Sequence, residues 1–67
     1  MKIFCERLKE LRQDKNMSIT QLAKALDVNV STVTRWENNL RVPVIDQLYK
    51  IAVFFGVSSD YLIGLEN

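Results

Sequence analysis

Apolar side chains recur at helical spacing through most of this chain. Phe4, Leu8 and Leu11 stand at i, i+4 and i+7, which places them on one face of a helix that we predict over about residues 2–15. Only two glycines and one proline interrupt the sequence. The periodicity and the scarcity of helix-breaking residues together predict an all-α fold.

Two short helices are predicted next. Ser18 and the glutamine three residues later have the spacing of a capping box, so the second helix is expected to begin at Ser18 and to end near Leu26. Asn29 is a favourable N-cap residue for a third helix, which continues to Asn38. Only Asp27 and Val28 separate the second helix from the third. Such a short connection sets two helices at a steep angle, which predicts a helix-turn-helix motif over about residues 19–38.

The third predicted helix has two unlike faces. At about 100° per residue, Val33 and Trp36 point in one direction. The side chains that point nearly the opposite way are Ser31, Thr34, Arg35 and Asn38. The phase of Trp36 places its indole in the core, rather than on the surface as a platform for stacking bases.

Two further helices complete the prediction. Pro43 suits the first position of a fourth helix, because its fixed φ is helical and its missing N–H costs nothing there. This helix is expected to run to about Phe55 and to end at Gly56. A last short helix is expected to begin at Ser58 or Ser59.

Length and composition limit the classes of function. A chain of 67 residues is expected to form one domain over residues 1–67, with no separate ligand-sensing domain. One cysteine, Cys5, and no histidine leave no intramolecular disulfide, no metal site and no base to activate a nucleophile. We therefore expect neither a cofactor nor enzymatic activity.

Charge and hydropathy bear on location and partners. No apolar run is long enough to span a membrane, and charges come too early for a signal peptide, so a cytoplasmic protein is expected. The formal net charge is only +1. Any nucleic-acid interaction must therefore depend on where the charges lie rather than on their sum.

The ordered set of elements resembles the Cro/CI-type helix-turn-helix family (XRE family) of phage repressors and bacterial regulators. The resemblance spans nearly the whole chain. It lies in Leu11-Arg12, Gln21-Leu22-Ala23, residues 28–38, Pro43, residues 48–52 and residues 55–62. It implies a compact five-helix, lambda-repressor-like DNA-binding bundle. It also implies sequence-specific binding of double-stranded DNA by a transcriptional repressor or regulator, with the third helix in the major groove.

The sequence departs from the family pattern at four positions. The family usually has glycine where this chain has Asn16, Asp27 and Asn39. Asparagine and aspartate tolerate the left-handed conformation best after glycine, so we predict a positive φ at all three. Ile19 stands where the family often has a glutamine that reaches a DNA phosphate, so that contact must come from elsewhere or be absent.

Candidate base-reading residues lie at the start and on the outer face of the third helix. Arg35 can bond a guanine through two hydrogen bonds, and Val30 can touch a thymine methyl group. Ser31 and Thr34 can donate or accept a hydrogen bond. By the resemblance, Val30, Ser31 and Arg35 match the family's main reading positions. The alternative is that the polar members simply form a solvated helix face.

Other residues are predicted to hold the DNA backbone or the fold. The candidate phosphate contacts are Ser18, Thr20, Asn29, Thr32, Asn38 and Arg41. Asn29 and Thr32 lie at a helix N-terminus, which favours an anion, although Asn29 could also be a plain N-cap. By the resemblance, Arg12 and Glu37 form an ion pair between the first and third helices that is mainly structural.

Several apolar residues exceed what so small a core needs. They are Ile3, Leu40, Phe54, Ile63 and Leu65, and some of them are expected to form a homodimer contact. A two-fold dimer presents its recognition helices roughly 34 Å apart and so reads a near-palindromic operator.

Two other functions stay open at this point. An antitoxin would use the same domain to bind both operator DNA and a toxin, and it would co-purify with a small basic protein. A helical protein-interaction module would show no salt-dependent affinity for DNA. The near-neutral charge favours this last reading slightly.

Overall fold

Five α-helices and no β-strand make up the computed structural model, which describes all 67 residues. The helices are α1 (Lys2–Asp14), α2 (Ile19–Leu26), α3 (Val30–Glu37), α4 (Ile45–Phe55) and α5 (Ser59–Ile63). The predicted all-α fold is confirmed. None of the helices has the length and apolar character that a membrane span requires.

A single apolar core joins all five helices. Its buried members are Phe4, Leu8, Leu22, Ala23, Leu26, Val33, Trp36, Ile51, Ala52 and Leu62. The ring of Phe4 meets the indole of Trp36 edge to face, with ring centroids 6.4 Å apart. Trp36 is only 1% exposed, so its predicted core position is confirmed.

Three helices or turns end in a left-handed residue that is not glycine. The φ angles are 56° at Asn16, 57° at Asp27 and 59° at Asn39. The predicted positive φ is therefore confirmed at each position. At Asp27 this conformation ends α2 and turns the chain at once, so that the N–H of Val28 donates to the carbonyl of Ala23 at 3.0 Å.

Local capping follows the predictions in α2 but not in α3. The Ser18 hydroxyl accepts from the N–H of Gln21 at 3.0 Å, and the Gln21 side chain accepts from the N–H of Ser18 at 2.8 Å. This reciprocal pair is the predicted capping box. Asn29 does occupy the N-cap position of α3, but its side chain makes no capping hydrogen bond.

The fourth helix does not begin where it was predicted, and the third ends one residue early. Pro43 is not the first residue of α4, because that helix begins at Ile45 and Val44 is its N-cap. The side chain of Gln47 accepts from the N–H of Val44 at 3.0 Å and fixes the start there. The third helix ends at Glu37, because Asn38 is its C-cap, while the first ends at Asp14, close to the predicted end at about Lys15.

The last residues of the chain are tied to α1 through Arg7. Its guanidinium lies 4.2 Å from the centroid of the Tyr61 ring. It also donates to the carbonyls of Tyr61 and Glu66. Gly64 ends α5 at a φ of 87°, and a Cβ there would lie 3.2 Å from the side chain of Ile3. The positive φ and this close approach both favour glycine at this position.

Candidate nucleic-acid interface

The outer face of α3 is set by the deep burial of its inner face. Val33 and Trp36 are 0% and 1% exposed, and both belong to the core. Because these two residues fix the rotation of the helix, the opposite side chains project outwards. The short turn after α2 packs α3 against α2, which leaves the N-terminal end of α3 at the surface.

All four candidate base-reading residues lie on this outer face. Ser31 and Arg35 are exposed, Val30 is 44% exposed, and Thr34 is half-buried. The structure therefore brings the four together on one short helix, with an apolar side chain at its start and a guanidinium one turn later. DNA contact by each of them stays a prediction.

Thr34 and Arg35 differ in which hydrogen-bonding groups they leave free for a ligand. The Thr34 hydroxyl donates to the carbonyl of Val30 at 3.0 Å, which leaves its oxygen as an acceptor. Arg35 takes no part in the chain's single ion pair and makes no side-chain hydrogen bond. Its guanidinium thus keeps all its donors for a ligand.

The candidate phosphate contacts come from three segments of the chain, which are the start of α2, the N-terminus of α3 and the loop after α3. Ser18 and Thr20 lie exposed at the start of α2, while Asn38 and Arg41 lie exposed after α3. The Ser18 oxygen accepts in the capping box, so its hydroxyl hydrogen is free to donate to a phosphate. The backbone N–H groups at the start of α2 can serve the same end.

Asn29 and Thr32 occupy the N-terminus of α3. Asn29 is exposed, and the absence of a capping bond leaves its amide free to bind an anion. Thr32 is half-buried, so less of its surface is available. Together with the unpaired N–H groups of the first turn, the two residues form a surface that favours negative charge.

Ile19 plays a different part from the glutamine of the family pattern. It is half-buried and packs against the core. This side chain therefore anchors the first turn of α2 instead of reaching outwards. A phosphate at this end of α2 must be bound by backbone N–H groups or by the neighbouring hydroxyls.

Arg12 and Glu37 form the ion pair expected between α1 and α3. Arg12 Nε lies 2.7 Å from Glu37 Oε2, and Nη2 lies 2.9 Å from Oε1, so the pair is bidentate. Arg12 Nη1 also donates to the carbonyl of Met17 at 2.8 Å. Hydrogen bonding to Glu37 raises the pKa of Arg12, against the opposing effect of burial. The cation of Arg12 thus offsets the carboxylate of Glu37 at the C-terminal end of α3, where the helix dipole disfavours an anion.

Sequence reasoning missed one exposed surface. Five residues were thought surplus to the core. Leu40 and Leu65 are well exposed, Phe54 is 36% exposed, and Ile3 and Ile63 are half-buried. The more coherent exposed set lies on α4, and it consists of Ile45, Tyr49 and Val53. The i, i+4, i+8 spacing of these residues, offset from the core positions of the same helix, was the signal available in the sequence.

Comparison with known proteins places the chain in a family. The sequence profile of a helix-turn-helix family matches residues 8–62. The HTH-type transcriptional regulator YobD of Bacillus subtilis is 32% identical over 65 residues, which cover 97% of this chain and 58% of that protein. The HTH-type transcriptional activator BcrR of Enterococcus faecalis is 36% identical over 64 residues, covering 96% of this chain and 31% of that protein.

A solved structure agrees with these relatives. The crystal structure of SinR, the master regulator for biofilm formation, in complex with DNA has a TM-score of 0.82 and 31% identity. The match covers 90% of this chain and 97% of that chain. The chain spans about half the length of the curated relatives it matches. It belongs to the helix-turn-helix family, which confirms the resemblance to the Cro/CI-type regulators.

Proposed function

We propose that this domain binds a specific double-stranded DNA operator and regulates transcription, with α3 lying in the major groove. The observation that carries the proposal is the division of α3 into a buried apolar face and an outer face of short side chains and one arginine without an ion-pair partner. Its relatives are named as transcriptional regulators, and SinR was solved in complex with DNA.

The four outer side chains of α3 suit different base edges. Arg35 can give two hydrogen bonds to a guanine, and Val30 can contact the methyl group of a thymine. Thr34 presents an acceptor, since its hydrogen is held by the carbonyl of Val30. It therefore suits the amino group of an adenine or a cytosine. Ser31, which can donate or accept, contributes the least selective contact of the four.

Phosphate contacts would fix the register of α3 in the groove. We assign them to Ser18 and Thr20 on one side and to Asn38 and Arg41 on the other, with the N-terminus of α3 between them. Such contacts supply much of the affinity but carry no sequence information. The set contains one cation, Arg41, and no acidic side chain, so its other members would bind phosphate through neutral hydrogen bonds.

The operator is proposed to be near-palindromic and to be bound by a homodimer, with recognition helices roughly 34 Å apart. Repression is the proposed mode, because it requires only that the bound protein cover a promoter. The cytoplasm is the proposed location, since the DNA target lies there. A toxin or another regulatory protein as a further partner stays a prediction, which co-purification with a small basic protein would test.

Selection of bound fragments from the organism's own genome tests the proposal. We expect enrichment of a short palindromic site whose affinity falls steeply as salt is raised from about 50 to 200 mM. Failure to enrich any fragment, or an affinity that does not change with salt, would overturn the proposal. Either result would favour a protein-interaction module.

A further inference from the structure

One face of α4 is apolar yet uncovered. Ile45, Tyr49 and Val53 are 80%, 68% and 63% exposed, and they follow one another at intervals of four residues. We call these three residues the α4 stripe. The opposite side of the same helix already supplies Ile51 and Ala52 to the core. The helix thus carries a second apolar surface that nothing within the chain covers.

Two opposite charges lie along one flank of this stripe. Asp46 and Lys50 follow Ile45 and Tyr49 in the sequence, and both side chains are exposed. They are one helical turn apart, but the chain's only ion pair joins Arg12 and Glu37. Asp46 and Lys50 are therefore both available to a partner that brings an opposite charge to the same flank.

We propose that the α4 stripe is covered by the α4 stripe of a second copy of this chain, in an antiparallel pair whose two-fold axis passes at Tyr49. This inference rests on the proposed homodimer and specifies its contact. At about 1.5 Å per residue, Ile45 and Val53 lie about 6 Å on either side of Tyr49. Ile45 therefore meets the partner's Val53, and the two copies of Tyr49 meet at the axis.

Charge complementarity selects this orientation. A two-fold axis perpendicular to both helices keeps the charged flanks on the same side of the contact. Asp46 then lies within reach of the partner's Lys50, and the symmetry repeats the pair. A parallel pair would put the two flanks on opposite sides, and neither charge would meet a counterpart. The α4 surface is thus self-complementary only in the antiparallel arrangement.

A groove beside the stripe extends the contact. It lies between α2 and α4, has a volume of about 300 Å³, and is bordered by Ala25, Leu26 and Phe54. Tyr49 and Val53 of the stripe also line this groove. A second copy seated on the stripe therefore lies at the mouth of the groove.

The size of this surface sets the strength of the dimer. The stripe extends for only about 12 Å along the helix. Its area is well below the roughly 800 Å² per partner of a stable interface. We therefore expect free protein to be monomeric at micromolar concentration. The two copies should pair when an operator holds them side by side, and this pairing makes binding to the two half-sites cooperative.

Cysteine cross-linking tests the axis directly. In a Cys5→Ala background, Tyr49→Cys places a thiol beside its own copy, whereas Glu10→Cys on α1 is a matched exposed control. With a short bis-maleimide and full operator, we expect a covalent dimer for Tyr49→Cys only. A single half-site should give none. Equal cross-linking of both variants, or none for Tyr49→Cys, would overturn the proposed contact.

Charge exchange supplies a second test. Asp46→Lys and Lys50→Asp should each weaken binding to the full operator by about threefold to tenfold, while the double variant should recover to within about twofold of wild type. All three should bind a single half-site as wild type does. If the two losses simply multiply in the double variant, the antiparallel pairing is wrong.

The two proposals can fail separately. Cross-linking of Tyr49→Cys is also expected without DNA at about 1 mM protein, where a weak contact becomes populated. A cross-link at that concentration with no operator binding would leave the interface in place and remove the proposed function. Specific half-site binding without any cross-link would support the proposed function and overturn the α4 contact.

Discussion

Removal of Arg12 should destabilise the fold far more than its surface position suggests. Its partner Glu37 has a side chain that is only 3% exposed, while that of Arg12 is 14% exposed. In Arg12→Met, the carboxylate is left in the protein interior without its two hydrogen bonds. Breaking a buried pair from one side in this way costs about 3–5 kcal/mol. A chain of this length has roughly 3–10 kcal/mol of total stability, so the variant should lie near the limit of folding.

The reverse change should cost less. In Glu37→Leu, the guanidinium of Arg12 can turn towards water and still donate to the carbonyl of Met17, so we expect a loss of about 1–3 kcal/mol. The double variant leaves no buried charge and should be close to Glu37→Leu alone. The coupling between the two residues should therefore be close to the cost of Arg12→Met itself, about 3–5 kcal/mol.

Urea unfolding of the four proteins, followed by circular dichroism, measures this coupling. Thermal unfolding should show the same order, with about 4–8 °C lost for each kcal/mol. Because the fold raises the pKa of Arg12, its stabilising effect is fully present below the pKa that Arg12 has in the unfolded chain. The effect is lost only in strong alkali. The cost of Arg12→Met should thus be constant from neutral pH to about pH 10. Losses that add to within about 0.5 kcal/mol in the double variant would refute the reasoning.

Three further changes test other parts of the structure. Asp27→Gly should raise the free energy of unfolding by about 0.5–1 kcal/mol, because the residue has a φ of 57°; a loss in urea unfolding would contradict this. Gly64→Ala should lower the free energy of unfolding by about 1–2 kcal/mol, since φ is 87° and a Cβ would lie only 3.2 Å from the side chain of Ile3; unchanged stability would count against the tight contact. Arg41→Ala should reduce the slope of log affinity against log salt by about one on any duplex. An unchanged slope would exclude Arg41 as a phosphate contact.

Much of the fold could be predicted because local chemistry and tertiary packing agree. The phase of Trp36 with Val33 placed both in the core, and the structure leaves them 1% and 0% exposed. Asn16 and Asp27 stand where the chain must turn sharply, and both adopt the left-handed conformation. In each case, residues close together in the sequence determine the local conformation or the buried face, so the feature can be predicted from one sequence.

Two kinds of feature could not be predicted. Some depend on residues far apart in the sequence, and others on a residue that suits two local conformations equally well. Pro43 is compatible with both a helix start and extended backbone, and the bond between Gln47 and Val44 decides between them. The contact of Arg7 with Tyr61 joins residues far apart in sequence, and nothing near Arg7 indicates it. The outer face of α3 was predictable from periodicity, but which bases it contacts depends on the DNA.

The claim that α3 reads the operator is tested most directly by comparing Arg35→Ala with Lys9→Ala. Both variants lose one exposed positive charge, but only Arg35 lies on the outer face of α3. Affinities for the selected operator and for random duplex should be measured at one salt concentration. Arg35→Ala should lower the ratio of specific to random affinity by about tenfold to a hundredfold, whereas Lys9→Ala should leave this ratio unchanged. An equal effect of the two variants on the ratio would contradict base reading by α3.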